Sequence, residues 1–348
     1  MPRRSLRIAP RTLLCAGALA LGAGLAWMGS PAVPPQAPEE ALLPPAPVVE
    51  ADPAPAEPTP DVASVEAPAP LAEDAPDPFA TTMRDGMVVT GATAHRLILF
   101  SFDDGPDHRY TPGLLDTLDT LDVKAVFFLT TRRFEGNTPR ERALADIARE
   151  IVRRGHVVGN HTMDHVQLPL LHGAQLAEQV EGTEAIFERV LGQRPWLVRP
   201  PGGSRSPRID AYLASRGYTQ LLWNLGTGDF QVRTSEDVLH TFQRVLERRE
   251  RENGERGGVV LLHDIHRWSV DALPQIVRWL EDRNCELYAD GEELYDVVGD
   301  PRLFFVPRAD AGPSDIAPTV EPDPAWLAAR QARLRDRAQS RCQQLALR

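Results

Sequence analysis

Basic residues are missing from one long stretch of this chain. Between Gln36 and Pro78 there is not one Lys or Arg, while ten Asp and Glu are present. That stretch carries most of the formal charge of −11, and the remainder is close to neutral. No basic stripe interleaved with aromatics occurs, which argues against a nucleic-acid partner. Cysteine is scarce, with three in 348 residues. Cys15 falls in the N-terminal apolar run. Cys285 and Cys342 either pair in an oxidising compartment or stand as two unrelated thiols. The expectation carried forward is a bridge tying the C-terminal tail to the preceding domain.

What is present begins with an export-type segment over residues 1–32. Arg3, Arg4, Arg7 and Arg11 precede the uncharged run Thr12–Met28, which is rich in Leu, Ala and Gly. Small residues follow at Ser30-Pro31-Ala32, a plausible cleavage site. The run is near the lower limit for spanning a bilayer, so a cleaved signal and a retained inner-membrane anchor both stay open. Residues 33–90 are rich in Pro, Ala and acids, cannot form a core, and read as a disordered tether. At ~3.1 Å per residue such a tether could reach on the order of 100 Å. An exported protein working in the periplasm, envelope or extracellular space is expected.

From Arg96 the pattern alternates short apolar runs with helical periodicity. Strands are expected at 97–102, 125–129, 157–159, 196–198, 220–223, 259–262 and 286–288. Helices are expected at 111–121, 140–154, 175–191, 207–216, 235–252, 270–283 and 292–298. About seven β/α units over residues 91–300 imply an α/β fold with a parallel sheet curled into a distorted barrel, with an open doubly wound sheet as the alternative. Residues 301–348 begin Pro-rich and end in a helical stretch, 325–346, read as a surface helix or frayed tail.

The polar clusters follow predicted strands, where a parallel barrel places its active site. Asp103-Asp104-Gly105-Pro106 follows the first strand, and Asn160-His161 with His165 follows the third. Arg199-Pro200-Pro201-Gly202-Gly203 follows the fourth, Asp229-Phe230 the fifth, and His263-Asp264 the sixth. Adjacent carboxylates after a buried strand are costly unless neutralised, and a divalent metal is the natural partner. His161 and His165, four apart, could reach one ion together with a carboxylate. His156 reads as structural. Trp196 and Trp223 read as core, and Trp268 as either a sugar platform or packing.

These motifs resemble, in order, those of the polysaccharide deacetylase family that shares the NodB homology domain (carbohydrate esterase family 4). Ser101–Pro106 is similar to the first motif, His161–His165 to the second, Arg199-Pro200-Pro201 to the third and Leu261-Leu262-His263 to the last. The resemblance implies a distorted (β/α) barrel and hydrolytic removal of acetyl groups, mostly N-acetyl, from a polysaccharide, with peptidoglycan the first expectation. It implies Asp103 as general base, Asp104, His161 and His165 as ligands of a divalent metal (Zn²⁺ first, Co²⁺ or another possible), and His263 as general acid. Arg199 would orient Asp103, and Asp229 would tune His263. Pro201, Gly202, Phe230 and Leu261 would line the substrate groove. Phe230, Asn224 and Gly202 stand where the family usually or sometimes carries Trp, Asp and an aromatic, which bears on the substrate rather than the reaction. An amidase for a small non-sugar amide and a non-catalytic carbohydrate-binding module are the competing readings.

Overall fold

The computed structural model describes residues 88–304 and 322–346, all within one compact unit, Pro70–Arg348. The expected export segment and nearly all of the expected tether lie outside the described residues. No helix among the described residues is long and apolar enough to cross a membrane.

One parallel sheet organises the fold. Its order is β1 (Val88–Val89), β6 (Thr219–Leu221), β5 (Leu197–Val198), β4 (Val157–Asn160), β3 (Val126–Leu129), β2 (Leu97–Asp103), β8 (Gly258–His263) and β7 (Leu225–Gly226). A ninth strand, β9 (Asp296–Val297), pairs with the start of β2. Among the described residues β1 and β7 each pair on one side only, so the barrel is open between them. The helices are α1 (Thr111–Thr120), α2 (Pro139–Arg153), α3 (Gly173–Leu191), α4 (Pro207–Ser215), α5 (Ser235–Asn253), α6 (Arg267–Ala289) and α7 (Pro324–Ala346).

The strands are continuous apolar runs because both faces are covered. All seven residues of β2 are buried. Alternate side chains divide between two cores, as a period of two requires. Leu97, Leu99, Val126, Phe128 and Val259 form an inner cluster. Ile98, Phe100, Phe102, Phe127 and Val260 pack outward with the helices. Helix starts carry local signals. Thr138 and Glu141 form a reciprocal capping box before α2, with Pro139 in its first turn. Thr234 caps α5 through the Asp237 amide.

Four expectations are corrected. Residues 286–288 are not a strand but the last turns of α6. Leu273, Ile276, Val277, Leu280 and Leu287 keep a helical face buried to its end, so the short run Glu286–Tyr288 was helix all along. Residues 292–298 are not a helix; they run irregularly into β9, where Leu294, Tyr295, Asp296 and Val298 are all buried. Val88–Val89, counted with the tether, pair with Gln220 and Leu221. The C-terminal helix is anchored rather than frayed. Trp326 and Leu327 pack against the inner cluster, Arg330 donates to both oxygens of the buried Asp296 at 2.6 and 2.5 Å, and Cys285 and Cys342 are bridged with a Cα separation of 5.6 Å.

The bridge closes a loop of 57 residues, which in the chain-entropy model contributes ~4 kcal/mol. Cys342→Ser should lower the thermal midpoint by on the order of 10 °C, and reductant should reproduce the loss in the wild type. An unchanged melting curve in Cys342→Ser would show that α7 is held without it.

Candidate active site

Asp103 is the last residue of β2 and is 3 % exposed. Its partner is Arg199, which leaves β5 fully buried and donates Nη1 to Asp103 Oδ1 at 2.7 Å and to Ser101 Oγ at 2.9 Å. Arg199 Nε and Nη2 donate to the carbonyls of Leu221 (2.7 Å) and Leu222 (2.9 Å). Its guanidinium lies 4.0 Å from the Phe128 ring centre and 5.4 Å from that of Trp223. A buried charge is tolerable only when paired and hydrogen-bonded this completely.

Asp104 turns away from β2 in a left-handed conformation, φ 73°. It meets the imidazoles of His161 and His165, at 3.4 and 3.3 Å from its Oδ1. One ligand atom from each of Asp104, His161 and His165 lies within 4.8 Å of the others. His161 Nδ1 donates to the Arg199 carbonyl at 2.7 Å, which leaves Nε2 free as a lone-pair donor. Asp104 Oδ1 is buried with no hydrogen-bond partner. Burial opposes its charge, but the facing imidazoles, His161 first and then His165 and His263, outweigh that and hold it well below the usual carboxylate range. Burial also pushes His165 down, favouring the neutral imidazole that coordinates. An orphaned carboxylate oxygen beside two imidazoles, one of them already oriented through its Nδ1, is a donor set suited to a divalent cation.

His263 ends β8. Asp229, fully buried, receives its Nδ1–H at 2.9 Å and its backbone N–H at 2.7 Å. Burial alone would push His263 down; the hydrogen bond and charge of Asp229, joined by Asp103 and Asp104, raise it to about 9. Asp229 is held by a Ser269 hydroxyl hydrogen bond, and the Trp268 indole N–H donates to its carbonyl at 2.6 Å. The Trp268 ring stacks on His266 at 4.8 Å and carries Arg233 at 4.9 Å, so packing prevails over a sugar platform there.

The groove residues differ in exposure. Pro201 and Leu261 are buried, while Phe230 is 53 % exposed and meets His263 edge-on at 6.1 Å. Gly202 takes φ 63°, and a Cβ there would meet no atom within 4 Å, so the rim above it is open. Asn224 is structural: it holds Glu255, the Gly257 carbonyl and the Val259 amide. His156 accepts the Ala125 amide at 3.2 Å, away from the cluster.

Sequence reasoning gave no role to three residues that shape the site. Ser101 and Ser269 hydrogen-bond Arg199 and Asp229, and neither position has a spacing signal that reveals it. Asp264 is fully buried, accepts from Thr111, and sits where a side chain on Gly105 would collide with it. Burial raises its pKa to about 7, against the Thr111 hydrogen bond.

Comparison with known proteins points to one family. The family described as Polysaccharide deacetylase matches residues 90–221. A peptidoglycan-N-acetylglucosamine deacetylase of Bacillus cereus is 30% identical over 169 residues, covering 49% of this chain and 73% of that protein. This chain belongs to the polysaccharide deacetylase family. A second Bacillus cereus protein of the same description is 29% identical over 212 residues, 60% of this chain and 72% of that one. A chitin deacetylase of Arthroderma benhamiae is 28% identical over 230 residues, 65% of this chain and 58% of that one. Two solved structures share the α/β fold. A chitin deacetylase from Colletotrichum lindemuthianum has a TM-score of 0.53 and 26% identity, covering 65% of this chain and 98% of that one. A peptidoglycan N-acetylglucosamine deacetylase in complex with an N-hydroxybenzamide compound has a TM-score of 0.51 and 25% identity, covering 66% and 97%. The family match stops short of Asp229 and His263.

Arg199 is the test of the buried network. Arg199→Met strands Asp103 in an apolar site, and stability should fall by about 3–5 kcal/mol in urea unfolding. A loss below ~1 kcal/mol would mean that Asp103 finds another partner.

Proposed function

We propose that this deacetylase removes N-acetyl groups from a polysaccharide with the help of a divalent metal, zinc first, and that peptidoglycan is its substrate. One arrangement carries the reading: two buried pairs, Arg199–Asp103 and Asp229–His263, flank the Asp104, His161 and His165 cluster. A divalent ion held by those three residues would polarise the acyl oxygen and acidify water.

The chain's own groups supply the proton transfers. Asp103 takes a proton from the attacking water, and Arg199 fixes the carboxylate by holding Oδ1. His263 is the acid. Its pKa of about 9 keeps it protonated at neutral pH, ready to protonate the leaving nitrogen. Asp229 accepts the Nδ1–H hydrogen bond, which leaves Nε2–H directed to the substrate side. The Gly202 N–H is the proposed second donor to the developing oxyanion. Pro201, Leu261 and Phe230 are the proposed groove contacts, with Phe230 offering an exposed ring to a sugar face.

Peptidoglycan is favoured because the two Bacillus cereus relatives carry that substrate in their names. The Arg-flanked apolar run Thr12–Met28 and the acidic Pro/Ala stretch after it favour an exported enzyme tethered at the envelope. Residues 1–32 would be the signal or anchor, 33–87 the tether, and the deacetylase domain would extend from Val88 through α7.

Acetate release from a panel of purified glycans, with and without chelator, tests the reading. Release from peptidoglycan that stops with chelator and returns with zinc is expected; release only from small N-acetyl amides would sink it. Asp103→Asn and His263→Ala should each lose about 10²–10⁴ in turnover while still binding zinc.

The pH profile gives a second check. The acid form of His263 is lost as pH rises through about 9, so activity should fall on that limb. The stability owed to its raised pKa is fully present below the ordinary value near 6.5 and is lost over the same rise. Asp229→Asn removes the neighbour that raises His263 most, and the alkaline limb should move down by more than one pH unit. An unmoved limb would assign it to another group.

A further inference from the structure

The loop that brings His161 and His165 to the cluster is held differently at its two ends. It contains two non-glycine residues in the left-handed region, Thr162 (φ 69°) and His165 (φ 57°). Such residues are strained and persist only where their surroundings over-determine them. The first half is fixed through the backbone. Asn160 Oδ1 accepts the Thr162 amide at 2.8 Å, and the amides of Thr131 and Arg132 donate to the carbonyls of Thr162 and Met163 at 3.2 and 3.1 Å. His161 is also fixed at its ring, through the Arg199 carbonyl.

His165 has no such ring anchor among the described residues. A metal-binding imidazole is ordinarily oriented by a hydrogen bond at its other nitrogen. Here the orientation must come from the backbone, whose second half is held by the His165 amide donating to Thr162 Oγ1 at 3.1 Å and, from outside the loop, at Asp164. Arg132 donates Nε and Nη2 to the two Asp164 oxygens at 2.6 and 3.0 Å. Gln179, on α3, donates Nε2 to Asp164 Oδ2 at 2.7 Å, and its Oε1 accepts the Asp164 amide at 2.9 Å. The loop is thus gripped between the segment after β3 and the flank of α3, one residue before the ligand whose ring lacks its own anchor.

We propose that Arg132 and Gln179 are positioning residues for the cation site, acting through Asp164 on His165. The proposal rests on the metal reading above. It makes a prediction opposite in sign to simple electrostatics. Removing a positive charge near a cation site should tighten cation binding if charge alone mattered, whereas loosening His165 should weaken it.

The test is zinc affinity of the full-length protein, read by competition with a chromophoric chelator, alongside the melting temperature of the metal-free protein. Arg132→Met should weaken zinc binding by roughly 10–100-fold, and Gln179→Leu should act in the same direction. Arg132→Lys keeps the charge but loses the two-pronged grip, and should weaken binding several-fold. Arg132 and Asp164 are partly solvent-exposed, so the metal-free melting temperature should stay within about 3 °C. Glu135→Gln removes another acidic partner of Arg132 without touching the loop, and should leave affinity unchanged. Unchanged or tighter zinc binding in both Arg132→Met and Arg132→Lys would overturn the proposal while leaving the metal site intact. A wild-type protein that binds no zinc would overturn the metal reading and this one with it.

Discussion

The buried guanidinium of Arg199 is the constraint on which the site depends. Its side chain ties β2 to the chain leaving β6, through Asp103 and Ser101 on one side and the Leu221 and Leu222 carbonyls on the other. Its backbone carbonyl fixes the His161 ring. One residue therefore sets the position of the proposed base and of one proposed ligand. The cost of burying it is offset only because its N–H groups are engaged and its face packs on Phe128. The barrel wall and the reaction centre cannot be varied independently here.

Around that constraint the site separates opposite electrostatic tasks. Asp104 is held ionised by its imidazole neighbours, and His263 is held protonated by Asp229. Asp264, one residue beyond His263, is pushed the other way by burial and is used in packing against the Gly105 turn. Carboxylates of identical chemistry thus do different work because desolvation and paired charge are balanced differently at each. Backbone strain gathers in the same place. Three of the four non-glycine residues with positive φ among the described residues, Asp104, Thr162 and His165, belong to the cluster or to the loop that carries it. Side-chain and backbone hydrogen bonds from the segment after β3, from α3 and from Asn160 hold the loop of the last two.

Where the sequence misled, the reason was periodicity too short to arbitrate. Glu286–Tyr288 could be read as strand or helix, and burial of Leu287 beneath the α6 face decided it. Residues 292–298 had the composition of a helix, yet Asp296 is buried against Arg330 from a helix 34 residues further along, a partner that no local pattern reveals. Trp268 could equally have stacked on a sugar; Arg233, His266 and the Asp229 carbonyl claim it instead.

The sequence by itself determined the alternation of strands and helices from β2 to β6 and the polar clusters that follow the strands. Apolar runs between turn signals and polar clusters directly after them are local properties, so they survive in one dimension. The tertiary structure decided which polar groups pair. Asp103 with Arg199, Asp229 with His263 and Asp164 with Arg132 are separated by 96, 34 and 32 residues, and only the pairing and order of the strands in the sheet bring them within hydrogen-bonding distance. It also decided that α7 braces the barrel, because the apolar side chains that receive Trp326 and Leu327 come from strands spread across the domain.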